Sequence, residues 1–68
     1  MGSVTKVIEV SCSSTQSMED AVQTGLHKVA ETVKNIKGAW LNDIKVITAD
    51  DGSITEWRIN MRVNFLVK

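Results

Sequence analysis

Proline and tyrosine are absent from this sequence, and cysteine and histidine occur once each, as Cys12 and His27. A lone cysteine excludes a disulfide within the chain. With one histidine it also falls short of the four soft ligands that a structural zinc site takes. Charge of one sign is not in excess, since eight basic and eight acidic residues cancel. No electrostatic footprint therefore points to nucleic acid or to an anionic membrane surface. The apolar runs fall far short of the roughly 20 residues of a membrane span. The opening MGSVTKVIEV has no long apolar stretch after a basic region and does not read as a secretory signal. A cytoplasmic location is the expectation, and a single free cysteine accords with it. Repeats, low-complexity tracts and long linkers are missing too, so the chain reads as one domain over residues 1–68.

The length has its own consequence. A domain of 68 residues buries only about 60% of the surface its unfolded chain exposes, which leaves a monomer marginally stable. Small scaffolds compensate with disulfides, a metal or self-association. With the first excluded and the second disfavoured, self-association is the expected staple.

Thr5 to Ser11 (TKVIEVS) supplies β-branched Val7, Ile8 and Val10 and predicts a first strand. The polar SCSSTQS that follows has no periodicity and reads as a loop. Ser17 is a good N-cap, and Glu19 and Asp20 place negative charge at the positive end of a helix dipole. Val22, Leu26, Val29, Val33 and Ile36 then recur at helical spacing. A helix is predicted from about Ser17 to about Lys37, with Lys34 and Lys37 in its last turn and Gly38 just beyond it. Ala39 to Thr48 predicts a second strand. Ala49–Ser53 holds Asp-Gly and predicts the turn of a hairpin. From Ile54 to Lys68, Trp57, Ile59, Met61, Val63, Phe65 and Val67 alternate with Arg58, Asn60, Arg62, Asn64 and Leu66. One parity is apolar and predicts the face against the helix; the other is polar and cationic. The expected fold class is α+β, of order β-α-β-β, with a three-stranded antiparallel sheet packed on one helix. The last strand is longer than one helix can cover, so part of it is expected to meet neighbouring subunits.

KVIEV, a serine-rich loop, SMEDAV at the helix start, NIKGAW after it and DGSITEWRINMRVNF at the end together resemble the dodecin family over nearly the whole chain. The resemblance implies a subunit of a hollow homododecamer that binds and buffers a small ligand and does not catalyse. The implied ligand is a flavin, riboflavin or FMN, held in pairs near subunit interfaces. Flavin-binding members carry a Trp just after the helix that stacks on the ring and a Gln in the last strand that bonds its polar edge. In this chain the Trp position falls on Gly38, with Trp40 two residues on and on the same strand face. The Gln position falls on Arg58, which donates hydrogen bonds but accepts none. Relatives with Arg at this position form a subgroup associated with calcium or without flavin, and this chain is closer to them. The alternative reading is therefore a shell that takes no flavin.

Trp40 and Arg58 are the candidate ligand contacts. Trp40 would stack on a flat heterocycle or else fill a gap between subunits; Trp57 has core parity. Arg58 and Arg62 would bind an anionic group or form intersubunit ion pairs with Glu9, Asp43 or Glu56. Asp50 and Asp51 offer carboxylates to a hard cation but lack the spacing of a calcium loop and suit an ordinary turn. His27 reads as solvated, and neither Cys12 nor the serine cluster has the surroundings of a nucleophile. No catalytic residue and no metal ligand is assigned.

Overall fold

The structure is a computed structural model and describes residues 2–68. Its elements are β1 (Val4–Ser14), α1 (Met18–Ala30), β2 (Ile36–Thr48) and β3 (Ile54–Val67). The three strands form one antiparallel sheet in the order β1-β3-β2, so the last strand is the central one. The expected β-α-β-β fold, three strands under one helix, is the fold observed.

β1 runs three residues past the expected strand. Ser11 to Ser14 were expected to begin a loop, yet they stay paired with β3, Ser14 opposite Trp57. Ile8, Val10, Cys12 and Ser14 turn inward in strict alternation. The outward Ser11 hydroxyl donates to Asn60 Oδ1 at 2.7 Å. Pairing to a long central strand overrides the weak β-propensity of serine, which is largely a matter of context.

The helix starts where expected. Ser17 is extended (φ −166°, ψ 165°), and its side chain accepts from the Asp20 backbone N–H at 2.9 Å. The Ser14 hydroxyl donates to the Asp20 carboxylate at 2.6 Å, which ties the strand end to the first turn. The helix ends earlier than expected. It stops at Ala30 with Glu31 as C-cap, not near Lys37. The next turn tightens: the Thr32 N–H donates to the Val29 carbonyl at 3.1 Å and the Val33 N–H to the same oxygen at 2.9 Å. β-Branched Thr32 and Val33 are weak helix formers. Asn35 then takes φ 63°, a left-handed conformation that asparagine tolerates better than most residues. Its carbonyl accepts from the Leu66 N–H at 2.9 Å, so Ile36 enters the sheet directly. Ile36 and Gly38, expected at the helix end, are strand residues opposite Phe65 and Asn64.

The buried apolar cluster is Ala21, Ile59, Met61 and Val63, flanked by half-buried Ile8, Val10, Cys12, Val22, Leu26 and Val29 among others. The deepest helix positions are thus the small residues Ala21 and Gly25, and the large apolar stripe lies beside them. Small residues there let the helix axis approach the sheet closely. Trp57 has the predicted parity but is only half-buried and stands outside the buried cluster, and Val67 is exposed. A 13-residue helix spans about 20 Å, whereas 14 residues of β3 span about 46 Å. The helix covers the middle of the strand and leaves both ends bare.

The hairpin turn follows its chemistry. Asp51 Oδ1 accepts from the Ser53 backbone N–H at 2.9 Å and from its hydroxyl at 2.6 Å. Gly52 takes φ 89° there. The radius of gyration is 14.2 Å and the extents are 55 × 20 × 13 Å, against about 11 Å for a compact domain of this length. Leu41, Ile44 and Val46 of β2 are paired with Met61, Ile59 and Trp57 and so share the helix side of the sheet, yet all three are exposed.

Candidate functional site

Side chains alternate across the sheet, and the register places the polar parity of β3 on the face away from the helix. On one rung of that face Glu9 of β1, Arg62 of β3 and Trp40 of β2 lie side by side. The next rung holds Val7, Asn64 and Gly38; on the other side stand Ser11, Asn60 and Asp43. Trp40 is 58% exposed. Gly38 leaves the space beside it open: a β-carbon there would find only Asn64 Oδ1, at 3.4 Å. Just past Trp40 a register shift between Leu41 and Asp43 interrupts the ladder, and such bulges re-aim neighbouring side chains. The result is an open depression of about 620 Å³ lined by Val7, Glu9, Trp40, Leu41, Asn42 and Arg62.

Arg58 is on the same face but opposite Lys45, four residues along β3 from the Trp40 rung. It lines a separate depression of about 570 Å³ with Ser11, Ser13, Asp43, Lys45 and Glu56. Within one subunit, then, Trp40 meets Arg62, and the expected pair of Trp40 and Arg58 is not brought together. Within the subunit both arginines lie beside acidic residues expected as their partners. Arg58 is paired with Glu56 two residues before it. Arg62 Nε lies 3.5 Å from Glu9 Oε1.

Asp51 is held below the usual carboxylate range by the hydrogen bonds from Ser53. His27 is exposed, with Nε2 3.1 Å from Gln23 Nε2. Cys12 lies against the helix, and burial pushes its thiol up from its ordinary value, which keeps it protonated and unreactive. Among the described residues no group of three or more His, Cys, Asp or Glu side chains is positioned to hold a metal ion. No helix of the described residues is long and apolar enough to cross a membrane. The residue that sequence reasoning placed least well is Glu9. Only the β1–β3 register brings it to the rung of Trp40, and no local pattern carries that information.

A family model described as Dodecin matches residues 4–68. No curated protein matches the chain. Several solved structures share the fold. A protein from Thermus thermophilus is 22% identical with a TM-score of 0.88, over 98% of this chain and 97% of that one. A dodecin from Streptomyces davaonensis is 19% identical with a TM-score of 0.87, over 100% and 98%. A calcium dodecin from Mycobacterium tuberculosis, described as calcium-chelating with a novel calcium-binding site, is 26% identical with a TM-score of 0.78, over 96% and 91%.

Proposed function

The chain belongs to the dodecin family, and from that premise we propose that it is a subunit of a homododecameric shell that binds and buffers a small ligand, flavin (riboflavin or FMN) being the leading one, without converting it. The observation that carries the reading is Trp40: an exposed indole beside the open space over Gly38. A flat heterocycle laid there gains stacking worth roughly 0.5–1.5 kcal/mol beyond the area it covers. The exposed Leu41, Ile44 and Val46, the unpaired outer edges of β1 and β2 and the elongated shape support assembly, since a bare apolar strand and open sheet edges call for partners. In this reading Trp40 is the stacking contact and Arg58, reaching in from a neighbouring subunit, is the second. Nothing in the reading calls for a nucleic acid or a membrane as partner, and the shell is assigned to the cytoplasm.

The test is a riboflavin titration followed by flavin fluorescence, with native mass spectrometry on the same sample. The wild-type shell should run as a dodecamer and quench the flavin, because an indole against the ring opens a non-radiative path. Trp40→Ala should weaken binding by about tenfold or more. A monomer at micromolar concentration would refute the shell.

A second reading, the same shell without flavin, is favoured by one observation. Arg58 stands where flavin-binding members carry Gln, accepts no hydrogen bond and is engaged by Glu56. On this reading the chain sides with the Arg-bearing relatives, and another small ligand or calcium takes the place of flavin. Flavin left fluorescent by both the wild type and Arg58→Gln would select this reading.

A further inference from the structure

We propose that Glu9 and Arg62 form the polar edge of the ligand site and make it selective for planar heterocycles that carry an imide, an N–H between two carbonyl groups. The inference rests on the reading of Trp40 as the stacking face. An imide edge presents acceptor, donor, acceptor in sequence. Its recognition needs at least one donor and one acceptor side by side in the plane of the stacked ring. A glutamine amide carries both; Arg58 carries donors alone. The Trp40 rung supplies the missing function: Arg62 brings guanidinium N–H groups and Glu9 a carboxylate that only accepts, adjacent in register on the same face.

Two observations support this assignment. Glu9, Arg62 and Trp40 line one depression, and Arg58 lines another. Arg62 Nε lies 3.5 Å from Glu9 Oε1, with the side chains 54% and 78% exposed. A pair this open contributes little by itself, so both groups can turn to a ligand at small cost. A ring lying over Gly38 against Trp40 would also withdraw the pair from water, and hydrogen bonds to charged groups are roughly twice as strong as neutral ones.

The experiment compares lumiflavin with its N3-methyl derivative, which keeps the stacking surface and removes the imide N–H. Binding of each to the assembled protein is followed by fluorescence quenching. Wild type should bind the N3-methyl compound about tenfold or more weakly than lumiflavin. Glu9→Val should weaken lumiflavin and erase that preference. Glu9→Gln keeps an acceptor and should retain much of it. Equal affinity of wild type for the two compounds, with both lost in Trp40→Ala, overturns the assignment of Glu9 and Arg62 while the stacking reading stands. A preference lost in Arg58→Ala and kept in Glu9→Val also overturns it. No binding of lumiflavin at all overturns both readings together.

Discussion

Replacing Gly25 by alanine pits two effects of opposite sign against each other, and the structure decides between them. Alanine is the better helix former by about 1 kcal/mol, so at an exposed helical site the change would stabilise. Gly25 is buried against the sheet. A β-carbon added there would lie 2.9 Å from Met61 Cε and 3.0 Å from both Cys12 Cβ and Cys12 Sγ. The Met61 methyl ends a flexible chain and can swing aside. Cys12 Cβ is fixed to the backbone of β1, so the helix or the strand must shift. Overpacking of this kind costs typically 1–3 kcal/mol, and a clash with a backbone-fixed Cβ falls in the upper part of that range, above the gain in propensity. The expected outcome is a net destabilisation of about 1–2 kcal/mol. Urea unfolding followed by far-UV circular dichroism, at one fixed protein concentration because assembly and folding are linked, should show a lower midpoint with the slope preserved. Cys12→Ala/Gly25→Ala removes the clash with Sγ but not with Cβ, so it should recover only part of the loss relative to Cys12→Ala. A Gly25→Ala protein more stable than wild type would refute the claim that the helix rests on β1 and β3 through a contact with no room for a methyl group.

Ser17→Ala removes the side-chain acceptor of the Asp20 N–H and should cost about 1 kcal/mol, read by the same unfolding curves. Thermal stability should rise with protein concentration, because assembly draws the folded state by mass action; differential scanning calorimetry over a hundredfold dilution checks this. Asp51 is held low by the Ser53 hydroxyl and backbone N–H, so the fold favours the ionised carboxylate. The resulting stabilisation is present above the unfolded-state pKa and is lost as pH falls through the lower folded value. Ser53→Ala should move the Asp51 titration upward in an NMR pH series, towards the ordinary carboxylate range.

The sequence disclosed the elements better than their edges. Alternation in β3 and the Asp-Gly turn were legible because a single strand or turn carries the whole signal. The helix start was legible because Ser17, Glu19 and Asp20 act within one turn. The helix end was not. Val33 and Ile36 keep helical spacing, and only the pairing of Asn35 and Ile36 with the far end of β3 diverts the chain. The extension of β1 through Ser14 was hidden for the same reason, since polar strand residues declare themselves only through a partner. Ala21 and Gly25 do not declare themselves as core in the sequence because apolar periodicity is carried by large side chains, whereas the tightest layer of helix on sheet is built from small ones. At the candidate site, the polar face of Arg58 could be read from the alternation of β3, and Trp40 was brought to the same site by the family resemblance. Their separation along the sheet could not be read, because it is set by the register of two strands against a third and shifted by the bulge after Leu41.

The central place of β3 also sets an order of events as the chain is made. Both neighbours of β3 precede it, and its pairings reach back as far as Val4 opposite Val67. Until β3 emerges, β1 and β2 have no strand between them. α1 alone, at 13 residues, is near the length at which an isolated helix is marginal in water. The hairpin of β2 and β3 closes over a short turn, while β1 must wait for contacts nearly a chain length away, the kind that slows folding. The growing chain therefore carries β1 without its strand partner until β3 has been made. Truncation within β3 should leave no stable part of the sheet behind.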